Sequence, residues 1–471
     1  MSDSELCYLT AADALSRFRD KSLSPVELLQ ALIERSETVE PVINCFADRY
    51  FGEAMAAARK AEQRYAGQGP TPRRLEGIPL AVKDDANIKG KRATQGSLLY
   101  KDHISPFTDP HVARLKRAGA IVHARTTCPE FCAAWITDSR IHGLTRCPWN
   151  TDYTPGGSSG GSAASLAAGT TILATGSDNA GSIRQPASIC GVVGYKPPHG
   201  RIPTSPPYNI DTYSVVGPMT RTVSDCALMV NIMSGPDPKD LASIRNRIRL
   251  PLQAKGVAGL KIAYSIDLDY FPVHDDVRDN TEQAMAALQD AGAEIENVSP
   301  GWSEDVKHIG VIHYAHFYPG VELTERNREL LCDYSLFYAA MKHDRVREDY
   351  RAVVEITAKM YQSLGPILRR CDAFICPTVA TPSIPAAMRP NEIINIAGRE
   401  VDADYGWCMT YPFNMLGQLP ALAVPSGVSA SGVPTGVQIV GRPFDDASVF
   451  RVAQGLEQNR PWGYESPSRL V

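Results

Sequence analysis

From Gly77 onward, short apolar runs alternate with helical patterns, and this alternation constrains the fold more than any other feature. Runs long enough for one buried strand, such as residues 78–82 and 171–174, are bounded by Gly or Pro, whereas residues 162–168 and 223–233 have helical texture. Such alternation favours an α/β layer structure. We predict a single large core with a central mixed, mostly parallel, twisted sheet covered by helices on both faces.

Two stretches differ from this core. Residues 1–67 have a charged, helical pattern and include Ser24-Pro25-Val26-Glu27, which is typical of a capped helix start. We predict an N-terminal helical segment here, packed on a core domain of residues 68–471. Within that domain, residues from about 238 to 366 are richer in charge and predict a helical insertion.

Composition excludes several classes of protein. A formal net charge of −4 over 471 residues gives no reason to expect nucleic acid or an anionic membrane as partner. Residues 1–50 contain no apolar run of secretory or transmembrane length. The eleven cysteines have no framework spacing. They therefore indicate free thiols, and we predict a cytoplasmic protein.

Two serines in glycine-rich loops, within residues 155–197, carry the clearest chemical signal. Ser158 lies in the sequence GGSSGG at 156–161, and Ser182 follows GSDNAG at 176–181. Glycine lets successive backbone N–H groups approach one point, as an oxyanion hole beside a serine hydroxyl requires. The apolar run between the loops favours a catalytic serine over two simple turns.

One alternative for Ser158 is the nucleophile elbow of α/β-hydrolases, because residues 156–160 fit G-x-S-x-G. That motif requires an apolar strand leading into the serine. Here residues 149–155 are mostly polar and end in Pro155, so the sequence disfavours the elbow.

The whole segment resembles the amidase signature. The match covers GGSSGGSAA at 156–164 and the pattern D-x-x-G-S-I-R-x-P-A at 178–187. GIPLAVKD at 77–84 and GPMTRTV at 217–223 agree in order and spacing. The resemblance spans most of the chain from Gly77 onward and implies a serine amidase that needs no metal or cofactor.

The resemblance also assigns roles to individual residues. It implies that Ser182 is the nucleophile, that Ser158 in a cis peptide bridges nucleophile and base, and that Lys83 is the general base. The backbone N–H groups of four residues would form the oxyanion hole: Asn179, Ala180, Gly181 and Ser182. Three further residues would brace the loop: Asp178 and Arg184, as a buried ion pair, and Ser159.

The substrate is predicted less directly. By resemblance, residues 128–135 line the acyl pocket and residues 411–416 lie opposite, which gives the pocket residues Cys132, Trp135, Phe413 and Asn414. Aromatic side chains here, with Tyr208 or Tyr213, favour a small aryl or alkyl amide, cleaved to acid plus amine or ammonia. An ester, anilide, hydrazide or carbamate would react by the same route.

A lysine acts as a base only when its pKa is lowered. Moving it from about 10.4 to about 7 disfavours the ammonium by about 4.6 kcal/mol. Lys83 ends the apolar run 78–82, so burial is expected to supply this shift. Because Asp84 and Asp85 follow directly, we predict that neither carboxylate faces Lys83 closely.

Other functional classes remain open at this point. A glutamine amidase subunit of a tRNA-dependent amidotransferase would carry the same motif but need a partner protein. A non-enzymatic relative is disfavoured because all three catalytic residues are present. His199 offers a rival Ser–His–Asp triad, and His313 with His316 offers two ligands at i, i+3 without the further ligands of a metal site. A homodimer formed through the N-terminal helices is compatible with the sequence.

Overall fold

The computed structural model describes residues 3–253, 255–317, 323–345, 350–382 and 384–462, and strands alternate with helices through most of them. The helices are α1 (Asp3–Cys7), α2 (Ala11–Asp20), α3 (Pro25–Ile43), α4 (Phe51–Tyr65), α5 (Pro110–Arg117), α6 (Gly160–Ala167), α7 (Arg184–Cys190), α8 (Val223–Met233), α9 (Asp275–Asp290), α10 (Asp305–Phe317), α11 (Glu325–Leu330), α12 (Asp333–Arg345), α13 (Tyr350–Arg370), α14 (Pro412–Met415) and α15 (Asp446–Asn459). The strands are β1 (Phe46–Arg49), β2 (Pro79–Lys83), β3 (Ile121–Thr126), β4 (Asp138–Ser139), β5 (Gly143–Leu144), β6 (Leu173–Asp178), β7 (Val193–Lys196), β8 (Val215–Thr220), β9 (Lys261–Tyr264), β10 (Glu294–Asn297), β11 (Ala373–Pro377), β12 (Ile393–Ile396), β13 (Arg399–Asp402), β14 (Ala421–Val428) and β15 (Pro434–Val440).

Eleven of the strands form one mixed sheet, in the order β1-β3-β2-β6-β8-β7-β14-β15-β11-β9-β10. The predicted α/β class with a mixed sheet surrounded by helices is confirmed. The expectation of mostly parallel pairing is wrong, because only β2–β3, β2–β6, β9–β10 and β9–β11 pair in parallel. A short loop, residues 429–433, joins β14 to β15, and strands joined so closely pair antiparallel.

The N-terminal stretch contains the predicted helices and one strand. Ser24 Oγ accepts hydrogen bonds from the backbone N–H groups of Val26 and Glu27, and the Glu27 carboxylate accepts one from the Ser24 N–H, which completes a capping box. The same stretch also supplies β1, which pairs with β3 at the edge of the main sheet. The segment is therefore not purely helical.

The predicted helical insertion is also mixed. It contains the helices α9 to α13, but β9 and β10 lie between residues 238 and 366 and join the main sheet. Parts of the insertion, residues 318–322 and 346–349, and the C-terminal residues 463–471 lie outside the described residues. None of the described helices is long and apolar enough to cross a lipid bilayer.

Two neighbouring strands bring distant parts of the sequence to one edge of the sheet. β2 and β6 run parallel, with Leu80 opposite Leu173 and Ala81 opposite Ala174. Their carboxyl ends, at Lys83 and Asp178, therefore meet at the same edge, where ligands bind in open α/β sheets. The helices α6 and α7 begin close by, at Gly160 and Arg184, so that the loops carrying Ser158 and Ser182 reach this edge too.

Candidate active site

A buried lysine contacts two serine hydroxyl groups at this edge. Lys83 is 0% exposed, and its Nζ donates hydrogen bonds to Ser158 Oγ at 2.7 Å and to Ser177 Oγ at 2.8 Å. Ser158 follows a cis peptide bond from Gly157. Sequence reasoning did not assign a role to Ser177, which lies in β6, within the glycine-rich segment that was predicted to be a loop. The contact brings together two of the three predicted catalytic residues and adds a third polar partner.

Ser182 lies beside a loop of free backbone donors. Its side chain faces the same cavity as Ser158 and Ser177, and the residue is 8% exposed. None of the backbone N–H groups of residues 179–182 donates a hydrogen bond to a residue that the structure describes. Free N–H groups beside a serine hydroxyl are what an oxyanion hole requires.

The conformation of this loop requires glycine at residue 181. Gly181 has φ +133°, which favours glycine strongly, and a Cβ there would lie only 1.8 Å from the Thr410 hydroxyl. Thr410 Oγ1 also donates a hydrogen bond to the Ala180 carbonyl oxygen at 2.7 Å. The segment that precedes α14 thus fixes the peptide orientations next to Ser182.

A buried ion pair braces the same loop. Arg184 donates two hydrogen bonds of 3.0 Å to the Asp178 carboxylate, and both side chains are fully buried. Arg184 also donates to Gln438 Oε1 at 2.7 Å and to Asn414 Oδ1 at 2.6 Å. Burial alone would raise the pKa of Asp178, but the guanidinium holds that pKa below its usual value. Ser159 adds a hydrogen bond of 3.2 Å to the Ser177 carbonyl oxygen.

We expect Arg184→Met to lower the free energy of unfolding by about 3–5 kcal/mol, because it leaves the Asp178 carboxylate buried without its countercharge. Chemical unfolding followed by circular dichroism measures the change. Arg370→Met is the control, since Arg370 pairs with Glu296 on the surface and should matter little. Equal, small effects of the two substitutions would contradict a bracing role for Arg184.

Asp85 departs from expectation. Its Oδ2 lies 3.3 Å from Lys83 Nζ and also accepts a hydrogen bond from Ser177 Oγ. Burial alone would lower the pKa of Lys83, but the Asp85 carboxylate outweighs burial and raises that pKa above its usual value. The prediction that neither aspartate faces Lys83 is wrong for Asp85, and the ammonium form of Lys83 is favoured at neutral pH.

Asp84 behaves as predicted, since its carboxylate forms no ion pair with Lys83. Its carboxylate pairs with the buried Arg125 at 2.9 Å and accepts a hydrogen bond from Thr94 Oγ1. Burial alone would raise the pKa of Asp84, but a hydrogen bond from His142 and the Arg125 charge hold it at about 2. Asp84 therefore helps to hold the carboxyl end of β2 in place.

Two cavities meet at Ser182. The main cavity has a volume of about 250 Å³ and is lined by Ser158, Ser177, Asp85 and Tyr208, among others. The small chamber, about 20 Å³, is lined by Cys132, Ala133, Ala134, Trp135, Asn179, Ala180, Ser182, Tyr314, Asp404 and Tyr405. Four residues line both: Cys132, Asn179, Ser182 and Tyr314.

Two of the four predicted pocket residues line these cavities. Cys132 lines both cavities and Trp135 lines the small chamber. Phe413 and Asn414 line neither cavity, and we correct their assignment. Phe413 packs against Trp302 and Phe374 in the core, while Asn414 donates to Asp178 Oδ1 at 2.8 Å. α14 turns both side chains inward, which residue type alone does not reveal.

The histidines considered as rivals have other surroundings. His199 lines neither cavity and contacts the Asn209 carbonyl oxygen at 3.0 Å. His313 contacts Asp211 and stacks on Tyr213, and His316 Nδ1 contacts the Ile312 carbonyl oxygen within α10. Among the described residues, no group of three or more His, Cys, Asp and Glu side chains could hold a metal ion.

Comparison with known proteins gives consistent results over nearly the whole chain. A family model described as Amidase matches residues 27–450. The chain is 34% identical to an acylamidase of Rhodococcus erythropolis over 99% of each protein. It is 32% identical to a glutamyl-tRNA(Gln) amidotransferase subunit of Geobacter metallireducens, and the match covers 97% of this chain and 98% of that relative. A solved bacterial aryl acylamidase of the amidase signature family superposes with a TM-score of 0.89, at 28% identity and 98% coverage of both chains.

Proposed function

The chain belongs to the amidase signature family of hydrolases, which act on amide C–N bonds, and we propose that it is a stand-alone amidase for small aryl or alkyl amides. In this proposal Ser182 is the nucleophile, Ser158 carries protons and Lys83 is the base. The observation that carries the proposal is the hydrogen bond from Lys83 Nζ to Ser158 Oγ, because Ser158 lines the same cavity as Ser182.

The proposed reaction begins when the Lys83 ammonium releases a proton to bulk water. Neutral Lys83 then takes a proton from Ser158, which takes one from Ser182, and Ser182 Oγ attacks the amide carbonyl carbon. The free N–H groups of residues 179–182 stabilise the tetrahedral oxyanion. Ser158 gives a proton to the departing amine nitrogen and regains one from Lys83, the C–N bond breaks, and an acyl-enzyme remains on Ser182. Water then hydrolyses this ester, activated by the same two groups.

The charge of the cavities favours a neutral amide over glutamine. Glutamine carries a carboxylate, and recognition of a carboxylate usually uses Arg or Lys. Among the described residues, neither cavity is lined by Arg or Lys, whereas Asp85, Asp109 and Asp404 contribute carboxyl groups. The glutamine amidase subunit is the second candidate, because a relative named as an amidotransferase subunit covers nearly the whole chain.

Hydrolysis assays with the purified chain alone separate the two candidates. The panel contains acetanilides, alkyl amides, the corresponding phenyl ester and L-glutamine, and released amine, phenol or ammonia is measured. Turnover of aryl or alkyl amides without a partner supports a stand-alone amidase. Hydrolysis confined to glutamine, or dependent on a partner protein, would favour the amidotransferase subunit. Rapid mixing should also show a burst of product as the acyl-enzyme forms.

We expect Asp85→Asn to move the acidic limb of the pH–rate profile to lower pH by at least about one unit. The base is the neutral form of Lys83, and the fraction of neutral Lys83 rises with pH. Because Asp85 raises the pKa of Lys83, this rise occurs at higher pH. Removing the carboxylate lets burial dominate, which lowers that pKa. The measurement is kcat/KM between pH 5 and 10.

A matched control tests whether the shift is specific to the contact with Lys83. Asp109→Asn removes another carboxylate that lines the main cavity but does not contact Lys83, so the limb should stay in place. An unmoved limb in Asp85→Asn would show that Lys83 does not set the pH dependence.

Localisation and assembly remain proposals. All eleven cysteines are free thiols and ten of them are buried, which is consistent with a cytoplasmic protein. The proposed chemistry needs only a small-molecule amide and water. A homodimer stays a prediction.

A further inference from the structure

The small chamber and the main cavity share Ser182 but differ in whether the proton carriers line them. Ser158 and Ser177 line the main cavity but not the small chamber, whereas Ser182 and Asn179 line both. The two cavities therefore offer separate spaces for the two halves of an amide bound with its carbonyl carbon at Ser182.

The proton path decides which half occupies which space. This step rests on the proposed function, in which the departing amine nitrogen receives its proton from Ser158. The amine half must therefore lie in the main cavity, within reach of Ser158 Oγ. The acyl half then points into the small chamber.

The chamber admits only a short acyl group. A cavity needs a volume of about 10–15 Å³ to hold one water molecule, and the chamber has about 20 Å³. Beyond the carbonyl carbon there is room for an α-carbon and about one further non-hydrogen atom. Seven of the ten residues that line the chamber are apolar or aromatic: Cys132, Ala133, Ala134, Trp135, Ala180, Tyr314 and Tyr405.

One buried carboxyl group interrupts this largely apolar wall. Asp404 is 6% exposed, and its Oδ1 accepts hydrogen bonds from Trp135 Nε1 at 2.8 Å and from the Tyr338 hydroxyl at 2.7 Å. Its Oδ2 accepts none from the residues that the structure describes. Burial raises the pKa of Asp404 to about 7, so the group is ionised in mildly alkaline solution.

A hydrocarbon acyl group in the chamber would seal this carboxylate oxygen from water without giving it a partner. Such an unsatisfied buried acceptor is costly, whereas a ligand that donates a hydrogen bond removes the cost. We propose that Asp404 determines acyl specificity: its Oδ2 accepts a hydrogen bond from an amino or hydroxyl group on the α-carbon of a two-carbon acyl group.

Four 4-nitroanilides test this proposal at pH 8.5: those of glycolic acid, glycine, propionic acid and acetic acid. The glycolyl and propionyl groups have nearly the same shape but differ in the hydroxyl donor. We expect kcat/KM for the glycolyl compound to exceed that for the propionyl compound by at least about tenfold, because sites built around a polar contact reject analogues that lack it. The glycyl compound, compared with the glycolyl one, distinguishes an ammonium or amine donor from a hydroxyl.

Asp404→Asn tests the residue itself. The asparagine oxygen can still accept from Trp135 and Tyr338, but an N–H donor then stands in place of Oδ2. The ratio of glycolyl to propionyl turnover should fall to about one or below. Asp109→Asn is the matched control: it makes the same substitution at a carboxylate that lines the main cavity but not the chamber, so the preference should persist in this variant.

The two proposals fail in different ways. Turnover of all four compounds with a ratio near one in the wild type, or a ratio that Asp404→Asn leaves unchanged, overturns the role of Asp404 and leaves the proposed amidase intact. Turnover that survives Ser182→Ala overturns the proposed mechanism and with it the assignment of the two cavities.

Discussion

Ser182→Ala should lower kcat for amide hydrolysis by about 10⁴- to 10⁶-fold, with little change in stability. The hydroxyl that forms the acyl-enzyme is removed, while the backbone donors of residues 179–182 remain. Ser182 is 8% exposed and lines an existing cavity, so loss of its hydroxyl creates no new enclosed space in the core. Initial rates with an acetanilide, and mass spectrometry of the trapped acyl-enzyme, measure the effect.

The matched control for this change is Ser205→Ala. Ser205 lines the same main cavity but makes no contact with Lys83 or Ser158 among the described residues, so its substitution should cost less than about tenfold. If Ser182→Ala kept a tenth of the wild-type rate, or if an acyl adduct still formed on the protein, the nucleophile would be a different group.

The sequence indicates the fold class because strand and helix patterns are local. Residues 78–82 and 171–174 indicate β2 and the start of β6 by apolar character alone. The order of strands is set by contacts between distant segments, which periodicity does not encode. The alternation therefore could not reveal that β14 and β15 form a hairpin in the middle of the sheet, or that β1 joins its edge.

In the candidate site, too, local patterns predict some features, whereas contacts between distant segments decide others. The resemblance assigned Lys83 and Ser158 to one site, and the structure places the two side chains in contact. Asp85 was expected to turn away because its charge opposes a neutral lysine. Its carboxylate instead contacts Lys83 and accepts a hydrogen bond from Ser177, a residue 92 positions later. No local pattern contains that contact.

Side-chain direction in irregular segments explains the misassigned pocket residues. Phe413 and Asn414 stand in a four-residue helix. A small rotation of so short a helix changes whether its side chains face the cavity or the core. Asn414 is drawn inward by Asp178 and Arg184, which need its amide to complete their hydrogen bonds. Asp404 went unnoticed because a single carboxylate in a loop is usually solvated. Only the structure shows that it is buried behind Trp135 and Tyr338.

Substitutions of Lys83 should also have a large effect, and they can separate its role as a base from its role as a positive charge beside Asp85. We expect both Lys83→Met and Lys83→Arg to lower kcat/KM by about 10³- to 10⁴-fold. Methionine keeps the volume but has no base. Arginine keeps the charge next to Asp85 and can donate to Ser158, but its pKa is too high for it to accept the proton. The measurement is the pH–rate profile of each variant, with thermal unfolding as the control for folding.

The comparison between these two variants carries the conclusion. If Lys83 were needed only as a positive charge that neutralises Asp85 and holds Ser158, Lys83→Arg would keep most of the activity while Lys83→Met lost it. Loss in both variants, with an alkaline-rising profile in the wild type, requires a lysine that gives up its proton. The Asp85 carboxylate at 3.3 Å then keeps that proton on Lys83 between turnovers, so each cycle begins with the release of this proton to water.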